Sequence, residues 1–98
     1  MPYAIITQDK PDHLELRNAV RAEHLDYLVA NQHKMLAGGA VLNDDGTGGH
    51  SGIIIVDTDD RAEAEAFIAN DPFTKAGLFE SITVTRWRKA FFNFEKLV

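Results

Sequence analysis

Two side chains in this sequence could work together as a proton-transfer pair. His24 lies in Arg21-Ala22-Glu23-His24-Leu25, and Asp71 lies in Asn70-Asp71-Pro72. Imidazole is the side chain whose ordinary titration falls near neutral pH. A carboxylate that accepts a hydrogen bond from one ring nitrogen fixes the tautomer and leaves the other nitrogen to take or give a proton. Brought together, the two would form a general acid–base. Arg21 stands three residues before His24, and Arg17 four residues before Arg21, so all three share one side of a helix. A guanidinium there could hold an anionic or phenolate group. Residue types alone leave a plainer reading open: a histidine at a core edge, an Asp-Pro stop signal and a solvated arginine face.

The remaining candidates carry less. His13 and His33 flank the helix and read as solvated, and His50 reads as a loop residue. Gly46-Thr47-Gly48-Gly49 lacks the lysine of a phosphate-binding loop and leads into a strand, so it reads as a hairpin turn. The chain has no cysteine, and no two histidines have metal-motif spacing, so no metal site is expected. Trp87 is a core or pocket-wall residue. Phe91, Phe92 and Phe94 suit an interface better than base stacking on an acidic protein.

The elements that must position these residues follow from periodicity. Tyr3 to Gln8 is a short apolar run of β-formers and predicts a strand buried on both faces. Pro11-Asp12 predicts a helix start, with Asp12 as cap and Glu15 completing a capping-box spacing. Leu16, Val20, His24 and Leu28 carry that helix to about Asn31. Met35 to Leu42 predicts a second strand whose Gly38-Gly39 pair suggests a bulge or a close approach. A Gly-rich turn leads to Ile53-Ile54-Ile55-Val56, the clearest strand, and the two form an antiparallel hairpin. Thr58-Asp59-Asp60 would cap a second helix over Arg61 to Asn70, which Asp71-Pro72 ends. Phe73 to Phe79 reads as a connector, and Glu80 to Arg88 alternates as a last strand.

The order β-α-β-β-α-β is ferredoxin-like: an α+β fold with a four-stranded antiparallel sheet and both helices on one face. Apolar residues on the other sheet face would need a cover, and a second copy of the chain is the simplest one. The expectation is a homodimer forming a dimeric α+β barrel, with the tail at about 89–98 latched across the interface. At 98 residues and a net charge of −5, the chain reads as one domain whose acidic surface disfavours nucleic acid. The N-terminus does not read as a signal peptide, and no apolar run is long enough for a membrane span. A cytoplasmic protein is expected.

Taken together, Asp12, Arg17, Arg21, His24-Leu25, Tyr27-Leu28, Gly39, Glu63-Ala64, Asp71-Pro72-Phe73, Ala76-Gly77-Leu78 and Trp87 resemble the YciI-like (YCII-related) family. The resemblance runs from Tyr3 to about Lys89. Its most specific pieces are Arg-x-x-His-Leu in the first helix and Asp-Pro-Phe-x-x-Ala-Gly after the second. It implies a ferredoxin-like dimeric α+β barrel and an active site built on His24 and Asp71, with Gly39 and Ser51 as further pocket positions. It also implies a small lyase or isomerase, related in fold to muconolactone isomerase, with one branch linked to dehydrochlorination of hydroxylated aromatics. The chain departs from the pattern twice. Gly38-Gly39-Ala40 stands where the family often has Ala-Gly-Pro, and Ser51-Gly52 where it often has Gly-Ser.

The leading expectation is therefore a cofactor-independent lyase or isomerase. His24 would move a proton, Asp71 would orient the ring, and Arg21 and Arg17 would hold a small anionic or phenolic molecule. The alternatives are a binding or regulatory module using the same pocket without turnover, and a purely structural dimerisation domain.

Overall fold

The computed structural model describes all residues, 1–98. Strand β1 (Tyr3–Asp9) leads to helix α1 (Leu14–Ala30), a short 3-10 turn, and strands β2 (Met35–Val41) and β3 (Ser51–Val56). Helix α2 (Arg61–Ala69), the one-turn helix α3 (Pro72–Lys75) and strand β4 (Phe79–Arg86) follow, and β5 (Phe91–Phe92) and β6 (Glu95–Lys96) form a terminal hairpin. The four long strands make one antiparallel sheet in the order β2-β3-β1-β4. This is the ferredoxin-like arrangement expected.

Strand alternation divides the sheet. Ile5, Ile54 and Val56 turn to the helices and pack with Phe67 and Ile68 of α2, joined by Tyr27 and Leu28 of α1 and Val84 of β4. Ile6 and its β3 partner Ile53 turn the other way and remain 44% and 46% exposed. β1 is thus buried on both faces only over Tyr3 to Ile5; from Ile6 onward it alternates. Of the two readings of Gly38-Gly39, a bulge or a close approach, the bulge is not there: the β2 register shifts against β3 between Met35 and Ala37.

Two local readings change. Asp12 does not cap α1: it adopts a left-handed backbone (φ 59°), which aspartate tolerates better than most residues. The helix therefore starts at Leu14, with no side-chain cap at His13. The connector after α2 holds a helical turn, α3, with Pro72 in its first turn, where the missing N–H is no loss. The aromatic tail folds back on itself. Asn93 and Phe94, both at positive φ, make the turn of the β5–β6 hairpin, and Phe94 is fully exposed. Asp60 does cap α2, accepting from Ala62 N–H at 2.9 Å.

α2 packs on β1 and β4, while α1 leans chiefly on α3. The sheet under α1 carries small residues: Gly38, Gly39 and Ala40 of β2 and Gly52 of β3. A helix held off a floor without side chains leaves a hollow, and the candidate site occupies it.

Candidate active site

The hollow has a volume of about 500 Å³ and lies between α1, the sheet and the Gly46–Gly49 loop, a size within the usual range for small-molecule pockets. Arg17, Asn18, Arg21, His24, Leu25 and Leu28 of α1 form one wall, and Asp71 and Phe73 close one end.

Asp71 is wholly buried. The proline after it holds its backbone extended (φ −66°, ψ 132°), as a residue before proline must be. Its Oδ1 accepts the Phe73 backbone N–H at 2.9 Å and so caps α3. The same carboxylate faces His24: Nδ1 lies 2.8 Å from Oδ1 and 2.9 Å from Oδ2. An ionised carboxylate can only accept, so Nδ1 carries the hydrogen and shares it between both oxygens. The ring stacks on Phe73, with centroids 4.0 Å apart and planes 14° from parallel. Orientation and tautomer are both set, and Nε2, which no group of the chain engages, is left on the cavity side. One residue, Asp71, thus ends α2, caps α3 and orients His24.

Tyr27, one turn beyond His24 on α1, donates from its hydroxyl to Phe67 O at 2.7 Å. Burial, and then the negative charge of Asp71, raise its pKa above 10.0, which keeps the phenol protonated as this donor.

The two arginines part company. Arg17 is buried, and its Nη1 donates to both oxygens of Asp9, at 2.9 and 2.7 Å. Its guanidinium lies over the Phe73 ring, 5.0 Å from the centroid. Arg17 borders the cavity with its charge already matched. Asp9 reaches it from the end of β1, a contact that helix spacing cannot reveal. Arg21 makes no ion pair and is the cavity's unmatched cation.

Gly39 lines the hollow, with nothing within 4 Å of where its Cβ would stand, so its missing side chain is cavity space. Ser51 does not line it. Strand alternation turns its side chain to the opposite sheet face from Gly52, which does line the hollow, and its contribution is a carbonyl that accepts from Arg17 Nη2 at 3.4 Å. The Ser51-Gly52 order therefore places glycine, not serine, at the cavity.

Several lining residues were not foreseen. Asn18 sits one position past Arg17, and Thr7 lies on the helix side of β1 at the same parity as Ile5, a period-two signal legible in the strand. The loop at 46–49 is a wall as well as a turn. A Cβ on Gly49 would lie 3.0 Å from Arg17 Nε, so the loop closes over the guanidinium only because that residue is glycine. No group of three histidine, aspartate or glutamate side chains gathers as a metal site, and no helix is long and apolar enough to cross a membrane.

The profile of the YCII-related domain matches residues 1–88. Protein YciI of Escherichia coli O6:H1 is 34% identical over 98 residues, covering 93% of this chain and all of that protein. A solved structure of 5-chloro-2-hydroxyhydroquinone dehydrochlorinase from Burkholderia phenoliruptrix AC1100, in complex with 2,5-dihydroxybenzoquinone, is 35% identical with a TM-score of 0.82, covering 90% of this chain and 94% of that one. Rv0793 from Mycobacterium tuberculosis, at 16% identity and a TM-score of 0.53 over 91% of this chain and 97% of its own, shares the fold alone.

Proposed function

Because this chain belongs to the YCII-related domain family, we propose that it is a small lyase- or isomerase-type enzyme acting on an anionic or phenolic ring compound, with His24 and Asp71 as its proton-transfer pair. The carrying observation is the His24–Asp71 contact at 2.8 Å, made inside a hollow of about 500 Å³ that also holds the unmatched Arg21. Arg21 holds the phenolate or carboxylate of the substrate. His24 Nε2 removes a proton, and the electron pair left behind forms a new double bond. In a lyase, the leaving group departs with its own bonding pair; in an isomerase, the imidazolium returns the proton at another carbon. The Asp71 carboxylate balances the imidazolium.

The dehydrochlorinase relative supports the lyase branch and a hydroxylated ring as substrate. The direct test is chloride release from 5-chloro-2-hydroxyhydroquinone by the wild type and by His24→Ala. Loss of about 10²–10⁴-fold is the expected scale for removing a general base. Equal rates in the two proteins remove His24 from the mechanism.

The enzyme reading extends to a homodimer joined through the sheet face opposite the helices, where Ile6 and Ile53 stand half exposed, with the terminal hairpin at its edge. Light scattering at micromolar concentration tests this, and a monomer mass refutes it.

A further inference from the structure

The floor of the hollow is almost without functional groups. Among the sheet residues that line it, Thr7, Gly38, Gly39, Ala40, Gly52, Ile54 and Phe79, Thr7 alone has a polar side chain. Thr7 is 4% exposed. None of the chain's side-chain hydrogen bonds engages its hydroxyl, yet no fully enclosed polar side-chain atom lacks a partner, so the hydroxyl opens onto the hollow. A buried hydroxyl with nothing to bond is costly, and its partner must come from what fills the cavity. Across the β1–β3 pair, Thr7 stands opposite Gly52. A Cβ at 52 would lie 3.1 Å from Thr7 Oγ1 and 3.6 Å from Gly39 O, so glycine at 52 keeps the threonine hydroxyl clear.

We propose that Thr7 is a ligand-contacting residue whose hydroxyl hydrogen-bonds an oxygen of the bound molecule from the sheet side, opposite the edge addressed by His24 and Arg21. The ligand class narrows accordingly to small rings with oxygen functions on two opposed edges. The proposal rests on the reading of this hollow as a site for an oxygenated ring.

The test titrates 2,5-dihydroxybenzoquinone, which carries such opposed oxygens, into the wild type, Thr7→Val, Thr7→Ser, Thr7→Ala and the double variant Thr7→Ala/Gly52→Ser, with thermal unfolding as the fold control. Removing one hydrogen bond should weaken binding about tenfold in Thr7→Val and Thr7→Ala, while Thr7→Ser stays within about twofold. The double variant moves the hydroxyl from β1 to β3, onto a Cβ 3.1 Å from the position of Thr7 Oγ1, and should recover part of the affinity lost in Thr7→Ala. Wild-type binding with unchanged affinity in Thr7→Val, or no recovery in the double variant, overturns the assignment to Thr7. Absence of wild-type binding overturns the ligand class itself, and this inference with it. Should Thr7→Val not fold, the comparison of Thr7→Ala with the double variant decides.

Discussion

Asp71→Asn separates the orienting role of Asp71 from its structural ones. Asparagine has nearly the same shape, and its side-chain oxygen can still accept the Phe73 backbone N–H that now lies 2.9 Å from Oδ1. The position of Oδ2, 2.9 Å from His24 Nδ1, would then hold an NH₂ donor. Two donors repel across that contact, and the amide oxygen 2.8 Å from Nδ1 already accepts from Phe73, so the better pairing makes Nδ1 the acceptor and moves the ring hydrogen to Nε2, on the cavity side. The nitrogen that should take the substrate proton is then occupied. Returning to the active tautomer breaks the new bond in a site where Asp71 is wholly buried, at a cost of about 1–3 kcal/mol, or roughly 5–150-fold in population. The lost carboxylate also no longer balances the imidazolium, a term of about 4 kcal/mol for charges ~4 Å apart at an effective dielectric of ~20, part of which water in the cavity replaces. Activity should fall by about 10²–10⁴-fold, while stability falls by only about 1–2 kcal/mol because the cap and the volume persist. Nitrogen-15 correlation spectra at mildly alkaline pH read the tautomer directly: Nδ1–H at His24 in the wild type, Nε2–H in the variant. An unchanged tautomer refutes the geometric argument, and an unchanged rate with a switched tautomer refutes the assignment of His24 as base.

Arg21→Gln should weaken binding of an anionic ring by about tenfold or more and flatten its salt dependence, with the unfolding midpoint unmoved, since Arg21 is exposed and makes no ion pair. Arg17→Met should instead destabilise the fold by about 3–5 kcal/mol in denaturant titration, because it strands the buried Asp9 carboxylate whose partner lies 2.7 Å away; a loss under 1 kcal/mol would show that water reaches Asp9. Tyr27 adds an alkaline limit. Its folded pKa is raised above 10.0 by burial and by Asp71, so its contribution is fully present below about pH 10 and is lost as pH rises through the folded value, where the unfolded phenol has already ionised. Tyr27→Phe should show a shallower loss of stability above pH 10 than the wild type; identical slopes would assign the alkaline limb to other groups.

Local chemistry made much of this protein legible from its sequence. The apolar β-branched run Ile53 to Val56, the helical spacing of Leu16, Val20, His24 and Leu28, the Asp60 cap and the Asp71-Pro72 break are short-range signals, and each specified its element. They also made His24, Arg21 and Asp71 the candidates. What no local signal contains is which distant groups meet. Asp9 neutralises Arg17 because the end of β1 runs beneath α1. Ser51 turns from the hollow because one step along a strand reverses the face. Thr7 and Gly52 face each other because β1 and β3 pair in one register. Even Asp12, a cap by its spacing, became a left-handed turn residue once the chain had to bend from β1 into α1. Spacing ranks side chains by what they can do. Only tertiary contacts, made between residues far apart in the chain, decide which charges are already matched and which remain for a ligand.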